Sequence, residues 1–128
     1  MKAIKINSKE KTIELVEIDG SLESIYEQLE CEIFTCPTTL DNLDTLYVDD
    51  EGLFNNSDED YKGAFYFGEY QQPLFGHGLI IGSDIEGESR DVLSSIKNIE
   101  NIVQFINEDT GRYLLNKMQD NGFTFIPL

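Results

Sequence analysis

A chain of 128 residues with 40% hydrophobic residues is long enough to fold as one domain around a hydrophobic core. Its formal net charge of −16 leaves few Lys and Arg side chains to neutralise phosphates. We therefore expect no direct binding of nucleic acid and no attraction to anionic lipid headgroups. Six Tyr and eight Phe residues argue against a disordered chain.

The N-terminal part of the chain predicts a hairpin followed by a helix. Lys2–Ile6 and Thr12–Ile18 are rich in Ile and Val with partial alternation, which predicts two strands joined by a polar turn. Ser21 is a suitable N-cap for the helix after them. The apolar residues of that helix recur at helical spacing and are Leu22, Ile25, Tyr26 and Leu29.

The middle of the chain predicts short strands separated by turns. We expect Pro37 to end the first of them, because proline cannot donate to a strand ladder. Gln71-Gln72-Pro73 indicates a loop. The predicted strands are Glu32–Cys36, Leu43–Val48, Gly63–Phe67 and Gly78–Ile81.

The last third of the chain changes to a helical period. A stripe of Ile, Val and Leu predicts a long helix over Ser89–Asn107. Asp109 or Thr110 would cap a second helix that runs through Met118, and Phe123–Ile126 has the composition of a final strand. Hairpin-like strands with separate helices predict an α+β fold for residues 1–128, with a mainly antiparallel sheet and two or three helices on one face.

Charge is distributed unevenly along the chain. Between Lys11 and Lys62 every charged residue is acidic. A surface of one sign is compatible with a partner that has a basic surface, and equally with excess charge that serves solubility alone. The candidate acidic contact face consists of Glu23, Glu27 and Glu30 on the first helix and Asp49, Asp50 and Glu51 in a turn.

Asp58–Glu69 matches a calcium-binding EF-hand loop at five positions. Lys62 opposes calcium, because it places an ammonium where an oxygen ligand is required. The segment also lacks the flanking helices of an EF-hand. We therefore expect an exposed connection and no metal site.

The glycine-bracketed segment Gly76-His77-Gly78 is a candidate small-molecule loop, although it matches no phosphate-binding motif. His77 is the only histidine, so any acid–base catalysis by histidine would require it. Cys31 and Cys36 are expected to be free thiols in the core, and with one histidine they cannot complete a zinc site. We therefore predict no catalytic residues, no cofactor and no metal.

Three segments in the same order carry a resemblance to a known family: MKAIKI, YVDDEGLF and GHGLIIGSD. Together they resemble the phage and bacterial domain-of-unknown-function family 3846 over roughly residues 1–107. The resemblance implies an accessory protein of phage or mobile-element type, and a structural role for the YVDDEGL turn. The chain departs from the family pattern at residues 55–60 and in having His77 where the family has Asn.

These features rank three hypotheses about function. The first is a non-catalytic acidic accessory protein that binds and modulates a host or phage protein in the cytoplasm. The second is a DNA mimic that inhibits a nucleic-acid-binding defence enzyme, and the third is a small-molecule or nucleotide-binding protein. The N-terminal MKAIKINSKEK has no apolar stretch typical of a signal peptide, which favours the cytoplasm. A homo-oligomer is left open.

Overall fold

The computed structural model describes residues 1–55 and 60–121, which contain nine strands and four helices. The strands are β1 (Lys2–Asn7), β2 (Thr12–Glu17), β3 (Phe34–Thr39), β4 (Thr45–Asp49), β5 (Ala64–Phe67), β6 (Tyr70–Phe75), β7 (Gly78–Ser83), β8 (Ser89–Arg90) and β9 (Val103–Phe105). The helices are α1 (Leu22–Leu29), α2 (Gly52–Asn55), α3 (Ile96–Ile102) and α4 (Glu108–Asn121). Within this described part, no helix is long and apolar enough to cross a membrane.

The strands form two antiparallel sheets. The larger sheet has the order β2-β1-β7-β4-β3, with β8 paired to β7, and the smaller has the order β6-β5-β9. β7 lies at the centre of the larger sheet, and five of its six residues, Gly78 to Gly82, are buried. A continuous apolar run is what a strand covered on both faces requires. The predicted α+β class and antiparallel sheet are confirmed.

Two helices, α1 and α3, lie on opposite faces of the larger sheet, which differs from the single helical face predicted from the sequence. Because side chains alternate along a strand, Leu79 and Ile81 point to one face and Ile80 to the other. α1 packs on the first face through Ile25, and α3 packs on the second face through Ile99. The smaller sheet also packs on the second face, through Phe65 and Phe67. Buried apolar side chains therefore lie on both faces of the larger sheet.

The N-terminal hairpin and the first helix agree with the sequence prediction. β1 pairs with β2 in an unbroken register from Lys2 opposite Glu17 to Asn7 opposite Thr12. Ser21 caps α1 by accepting a hydrogen bond from the Ser24 N–H. These elements follow local signals, which the tertiary structure does not override.

The prediction of one helix over Ser89–Asn107 is wrong. Only Ile96–Ile102 is helical, with Ser95 as its N-cap, and β8 and β9 occupy parts of the remainder. β9 pairs with β5, where Phe105 lies opposite Phe65. Ile and Val favour strands as well as buried helix faces, and pairing with the open edge of β5 determines the outcome.

Two further differences lie in the strands. β3 continues through Pro37 to Thr39, with a register shift between Thr35 and Thr38. Proline has no backbone N–H to donate. It is tolerated there because β3 is an edge strand and because the register shift means that the ladder needs no hydrogen bond from residue 37. The expected loop around Gln71-Gln72-Pro73 is β6, another edge strand.

At the C-terminal end, α4 is confirmed but begins earlier than predicted. Asn107, rather than Asp109 or Thr110, caps it by accepting a hydrogen bond from the Thr110 N–H at 2.8 Å. The strand predicted at Phe123–Ile126 lies outside the described residues.

The YVDDEGL segment turns the chain from β4 into α2. Gly52 is the first residue of α2 and is buried. Only glycine fits at this position, because a Cβ would collide with the carbonyl oxygen of Phe75. Leu53 then packs beside the cluster that contains Phe75 and Leu115. The segment therefore joins α2 to the core next to β6.

Candidate functional site

The end of α1 and the turn after β4 enclose a solvent-facing cavity of about 450 Å³, which we call the acidic notch. Three of the side chains around it are carboxylates, and one is a cation. The residues that line it are Tyr26, Glu30, Cys31, Glu32, Glu51 and Lys62.

Backbone geometry brings these carboxylates together. Glu30 ends α1 in the left-handed conformation with φ of 55°, and its N–H donates to the Tyr26 carbonyl. The chain therefore reverses sharply and places Glu32 beside the end of the helix. The Asp50 N–H donates to the Ile33 carbonyl at 2.9 Å, which holds the turn after β4 against this segment.

Only part of the predicted contact face lies in the acidic notch. Glu30 and Glu51 line it, and Glu23 and Glu27 are exposed beside it on α1. Asp49 and Asp50 line a smaller cavity of about 190 Å³ instead. Asp49 Oδ1 also accepts from the Glu51 N–H at 2.9 Å, so that carboxylate shapes the turn.

Sequence reasoning did not single out Glu32, Tyr26 or Lys62 as members of this site. Glu32 lies three residues after Leu29, the last residue of the helix, and its acidity is the one signal in the sequence. The sequence pattern places Tyr26 among the apolar residues of α1 and Lys62 in the segment that resembles a calcium loop. Their meeting depends on the turn at Glu30 and on the approach of the segment before β5, which no local pattern indicates.

His77 lies behind the acidic notch and is buried, with 3% of its surface exposed. Its Nε2 is 3.0 Å from Glu30 Oε2, and its Nδ1 accepts from the Ser8 N–H at 3.2 Å. Because Nδ1 is an acceptor, the neutral ring carries its proton on Nε2 and donates it to Glu30. The contact with Glu30 is then a hydrogen bond from a neutral ring to a carboxylate.

Burial lowers the pKa of His77, because an imidazolium is poorly solvated inside the protein. The positive charges of Lys5 and Lys62 lower this pKa further, and the carboxylate of Glu30 opposes them. The neutral tautomer is therefore the form that the fold stabilises near neutral pH.

The segment Gly76-His77-Gly78 does not have the exposed backbone of a ligand-binding loop. All three residues are buried, and a Cβ at Gly78 would meet the side chains of Phe65 and Leu46. Both imidazole nitrogens have protein partners, Ser8 and Glu30. The segment therefore packs inside the protein and connects β6 to β7.

The polar residues that follow His77 in sequence, Ser83 and Asp84, have partners other than the imidazole. Ser83 Oγ donates to the Leu43 carbonyl at 2.8 Å, and Asp84 Oδ1 accepts from the N–H groups of Glu86 and Glu88. The serine that does contact His77 is Ser8, through its backbone N–H and not its hydroxyl. This arrangement is not that of a nucleophile activated by a base.

Both cysteines are free thiols. Cys31 packs at the margin of the core, but Cys36 is exposed, so the prediction that both fill the core is wrong for Cys36. Burial, with a smaller contribution from the charge of Asp49, raises the pKa of Cys31 to about 11. Cys31 is therefore protonated at neutral pH, although it lines the acidic notch.

The segment that resembles a calcium loop has little in common with one in structure. Asp58 and Glu59 lie outside the described residues, and Ala64–Phe67 forms β5. The Ala64 carbonyl, at the position where an EF-hand supplies a backbone ligand, accepts from the Ile106 N–H at 3.0 Å. Within residues 1–55 and 60–121, no group of three or more His, Cys, Asp or Glu side chains could hold a metal ion.

Asp44 is a fully buried carboxylate that the sequence reading did not distinguish from the other acids. It accepts hydrogen bonds from the Leu93 N–H, the Ser94 N–H at 2.7 Å and the Ser94 hydroxyl at 2.6 Å. Asn42 Nδ2 donates to it as well. These bonds fasten the segment before α3 to the start of β4, which is a structural role.

The fold and the notch define an acidic α+β domain in which the carboxylates of Glu30, Glu32 and Glu51 line one cavity at the end of a helix. The chain belongs to the family described as Domain of unknown function (DUF3846), whose model matches residues 1–105. This confirms the resemblance seen in the three sequence segments, and the family description names no reaction. A comparison with curated proteins gave no match, and neither did a comparison with solved structures.

Proposed function

We propose that this protein is a non-catalytic, acidic accessory protein of phage or mobile-element type that binds a basic surface on a protein partner. The observation that carries the proposal is the acidic notch, in which Glu30, Glu32 and Glu51 surround a cavity of about 450 Å³. The exposed carboxylates of Glu23 and Glu27 extend the same charge along α1.

The chemistry of the notch suits the side chain of a Lys or an Arg. Carboxylates accept charge-assisted hydrogen bonds from a guanidinium, often two at a time. Tyr26 adds an aromatic ring to the wall, and a cation gains further attraction over such a face. Lys62 also lines the notch and limits the negative charge there, so specificity would depend on shape as well as on charge.

Electrostatic steering gives this proposal a measurable property. Opposite charges speed association at low salt, and the effect falls as the Debye length shortens to about 10 Å at 0.1 M salt. Charge on an exposed rim changes the association rate more than the dissociation rate. A protein that is acidic only for solubility would show neither dependence.

The test replaces four exposed carboxylates with amides and leaves Glu30 in place, because Glu30 holds His77. Partners are captured from expressing bacterial cells with the parent protein, purified, and measured for association and dissociation rates at two salt concentrations. The matched control carries the same number of Glu→Gln changes on other exposed surfaces. The test set is Glu23, Glu27, Glu32 and Glu51, and the control set is Glu14, Glu86, Glu88 and Glu100.

We expect the test variant to associate more slowly and to lose most of its salt dependence, while the control variant behaves more like the parent. Equal rates for the two variants would reject the notch and its flank as the contact surface. A dissociation rate that rises with no change in association would reject steering while keeping the contact.

The DNA-mimic hypothesis remains a second proposal, because Glu23 and Glu27 on α1 and Glu30 directly after it are exposed acids at helical spacing. Along the helix axis they are separated by about 6 Å and about 4.5 Å. Adding duplex DNA to the capture experiment distinguishes the two proposals. Competition by DNA for the captured partner supports mimicry, and capture that is unaffected by DNA supports a basic protein surface of another kind.

A further inference from the structure

The larger sheet ends on one side in β2, whose outer edge pairs with no other strand that the structure describes. An open edge presents unpaired N–H and C=O groups, and proteins usually protect such edges with proline, a bulge or a very short strand. β3 and β6 contain Pro37 and Pro73, and β9 has three residues. β2 has six residues, without proline or glycine, and its register with β1 is unbroken. It is therefore the longest unprotected edge among the described strands.

The hydrogen bonds of the hairpin determine which backbone groups of β2 face outward. The Met1 nitrogen donates to the Ile18 carbonyl at 2.8 Å, and the Ile18 N–H donates to the Met1 carbonyl at 2.9 Å. Bonded pairs alternate along an antiparallel ladder, so the groups of every second residue of β2 point away from β1. These residues are Ile13, Leu15 and Glu17. Within residues 1–55 and 60–121, their outward groups have no backbone partner.

Leu15 is the exposed apolar residue of this edge. Its side chain lies on the second face of the larger sheet, because it stands opposite Ile4, and it is 54% exposed. A single exposed leucine is ordinary, but here it accompanies an unpaired backbone on the same strand. A strand added to β2 would pair with the backbone and cover the Leu15 side chain together.

The charge of the hairpin indicates which strand is added. Residues 1–18 carry four lysines and three glutamates, whereas the whole chain has a net charge of −16. The hairpin is therefore nearly neutral and offers little attraction to the basic partner proposed for the acidic notch. A second copy of the chain can approach this part of the surface without strong repulsion between like charges.

The sequence of β2 selects one register for pairing with a second copy. Residues whose backbone groups point outward must face each other, which leaves two nearly centred antiparallel registers. In one register, Glu14 of one copy lies opposite Glu14 of the other, and like charges directly opposite are destabilising. In the other register, Leu15 lies opposite Leu15 and Glu14 lies opposite Val16. The second register is favoured, because it brings the two exposed leucines together.

We infer that two copies of this chain form a dimer by antiparallel pairing of β2 with β2, with Leu15 at the two-fold axis. The two larger sheets then join into one continuous sheet, and each copy contributes the same groups. A pair of six-residue strands buries less than the roughly 1,600 Å² of a standard protein–protein interface, so we expect a weak dimer. The inference does not depend on what the acidic notch binds.

Sedimentation equilibrium of the full chain measures the dimer, from micromolar to millimolar concentration and at low and high salt. We expect a monomer–dimer equilibrium that becomes tighter at high salt, because screening reduces the repulsion between two copies of net charge −16. Binding of a basic partner at the acidic notch has the opposite salt dependence. Failure of one proposal is therefore distinguishable from failure of the other.

Two variants of β2 change the association in opposite directions. Leu15→Glu places two carboxylates opposite each other and should weaken the dimer about tenfold or more. Glu14→Thr removes a charge beside Val16 and should tighten the dimer, which keeps the test decisive if Leu15→Glu does not fold. The control is Ile85→Glu, which adds the same charge at a side chain that is 91% exposed between β7 and β8. It should associate much like the parent.

Disulfide cross-linking tests the register. The Cys36→Ser background removes the exposed native thiol. In that background, Leu15→Cys should form a covalent dimer with diamide, because directly paired Cα atoms lie about 5.5 Å apart, within the range of a disulfide. Glu14→Cys should form little, because the favoured register places Glu14 opposite Val16.

A protein that stays monomeric at millimolar concentration and high salt would overturn the inference and leave the edge of β2 to another occupant. A dimer that persists unchanged in Leu15→Glu, or that Ile85→Glu weakens as much, would place the contact elsewhere and overturn it as well. Cross-linking of Glu14→Cys in preference to Leu15→Cys would overturn the register on which the inference rests.

Discussion

The backbone N–H of Ser8 donates to Nδ1 of His77 at 3.2 Å, and this bond joins the β1–β2 turn to the residue that precedes β7. The other ring nitrogen of His77 contacts Glu30. Ser8 lines a cavity of about 490 Å³ beside the start of α4, and Glu30 lines the acidic notch, so a single buried imidazole lies between the two. The protonation state of His77 therefore bears on both regions.

We expect the protein to become less stable as the pH falls below about 6.5, the ordinary pKa of histidine. Because burial lowers the pKa of His77 in the folded state, the unfolded chain takes up this proton first. The contribution of neutral His77 to the free energy of unfolding is fully present above the pKa that His77 has in the unfolded chain. It is lost as the pH falls toward the lower pKa that His77 has in the folded protein. Urea unfolding at several pH values measures it, with a slope of at most about 1.4 kcal/mol per pH unit from this one group.

His77→Asn is the matched control for that dependence. Its side-chain oxygen can replace Nδ1 as the acceptor for the Ser8 N–H, and it does not titrate. The resemblance to the family also implies an Asn at this position. The variant should show a flatter pH profile between neutral pH and pH 5.5, and profiles of equal slope would contradict the assignment to His77.

The buried carboxylate of Asp44 should contribute strongly to stability. Asp44→Ala leaves the N–H groups of Leu93 and Ser94 without their acceptor, which we expect to cost about 2–4 kcal/mol in the free energy of unfolding. Asp41→Ala, an exposed change in the same turn, should alter it by no more than about 0.5 kcal/mol. The denaturant midpoints of the two variants are compared. Similar midpoints would show that Asp44 does not stabilise the protein by binding the segment before α3.

Ile99 is the residue of α3 whose truncation should matter most. It is fully buried, whereas Ile102 is partly buried, so Ile99→Ala should cost about 2–5 kcal/mol and Ile102→Ala less. Leu93→Ala serves as the control, because its side chain is 57% exposed. A melting temperature for Leu93→Ala that is lower than that of Ile99→Ala would contradict the packing of α3 on the larger sheet.

The local elements of this fold were predictable where the signal lies within a few residues. Ser21 followed by a helical stripe specified α1, and the polar turn between two Ile-rich runs specified the first hairpin. Over Val103–Phe105 the sequence is ambiguous, because three residues cannot separate a period of two from one of 3.6. There the pairing of Phe105 with Phe65, distant in sequence, determines the structure.

The candidate site shows the same limit. The acidic composition identified Glu30 and Glu51 as surface carboxylates, but their meeting with Glu32 depends on the left-handed turn at Glu30 and on the bond from the Asp50 N–H to the Ile33 carbonyl. His77 was singled out because it is the only histidine, and its burial against Ser8 could not be predicted from the glycines beside it.

Calcium should not bind the segment Asp58–Glu69 with saturable affinity. The Ala64 carbonyl is already bonded to the Ile106 N–H, and releasing it for a metal would break the contact between β5 and the chain after β9. Titration calorimetry with millimolar calcium should show only weak screening of the acidic surface, and Glu69→Gln should give the same trace. A one-to-one isotherm with micromolar affinity that disappears in Glu69→Gln would contradict this prediction.

The contact between Glu30 and His77 can be tested by a titration that needs no assignment of other residues, because the chain has one histidine. The charge of Glu30 raises the pKa of His77 and that of Lys5 lowers it. Following the imidazole proton signal by NMR, we expect Glu30→Gln to lower the pKa of His77 below that of the parent and Lys5→Gln to raise it. Glu23→Gln, an exposed change on the same helix, should leave it close to the parent value. If Glu30→Gln leaves the pKa unchanged, the ring does not face Glu30 in solution, and the acidic notch is independent of the buried histidine.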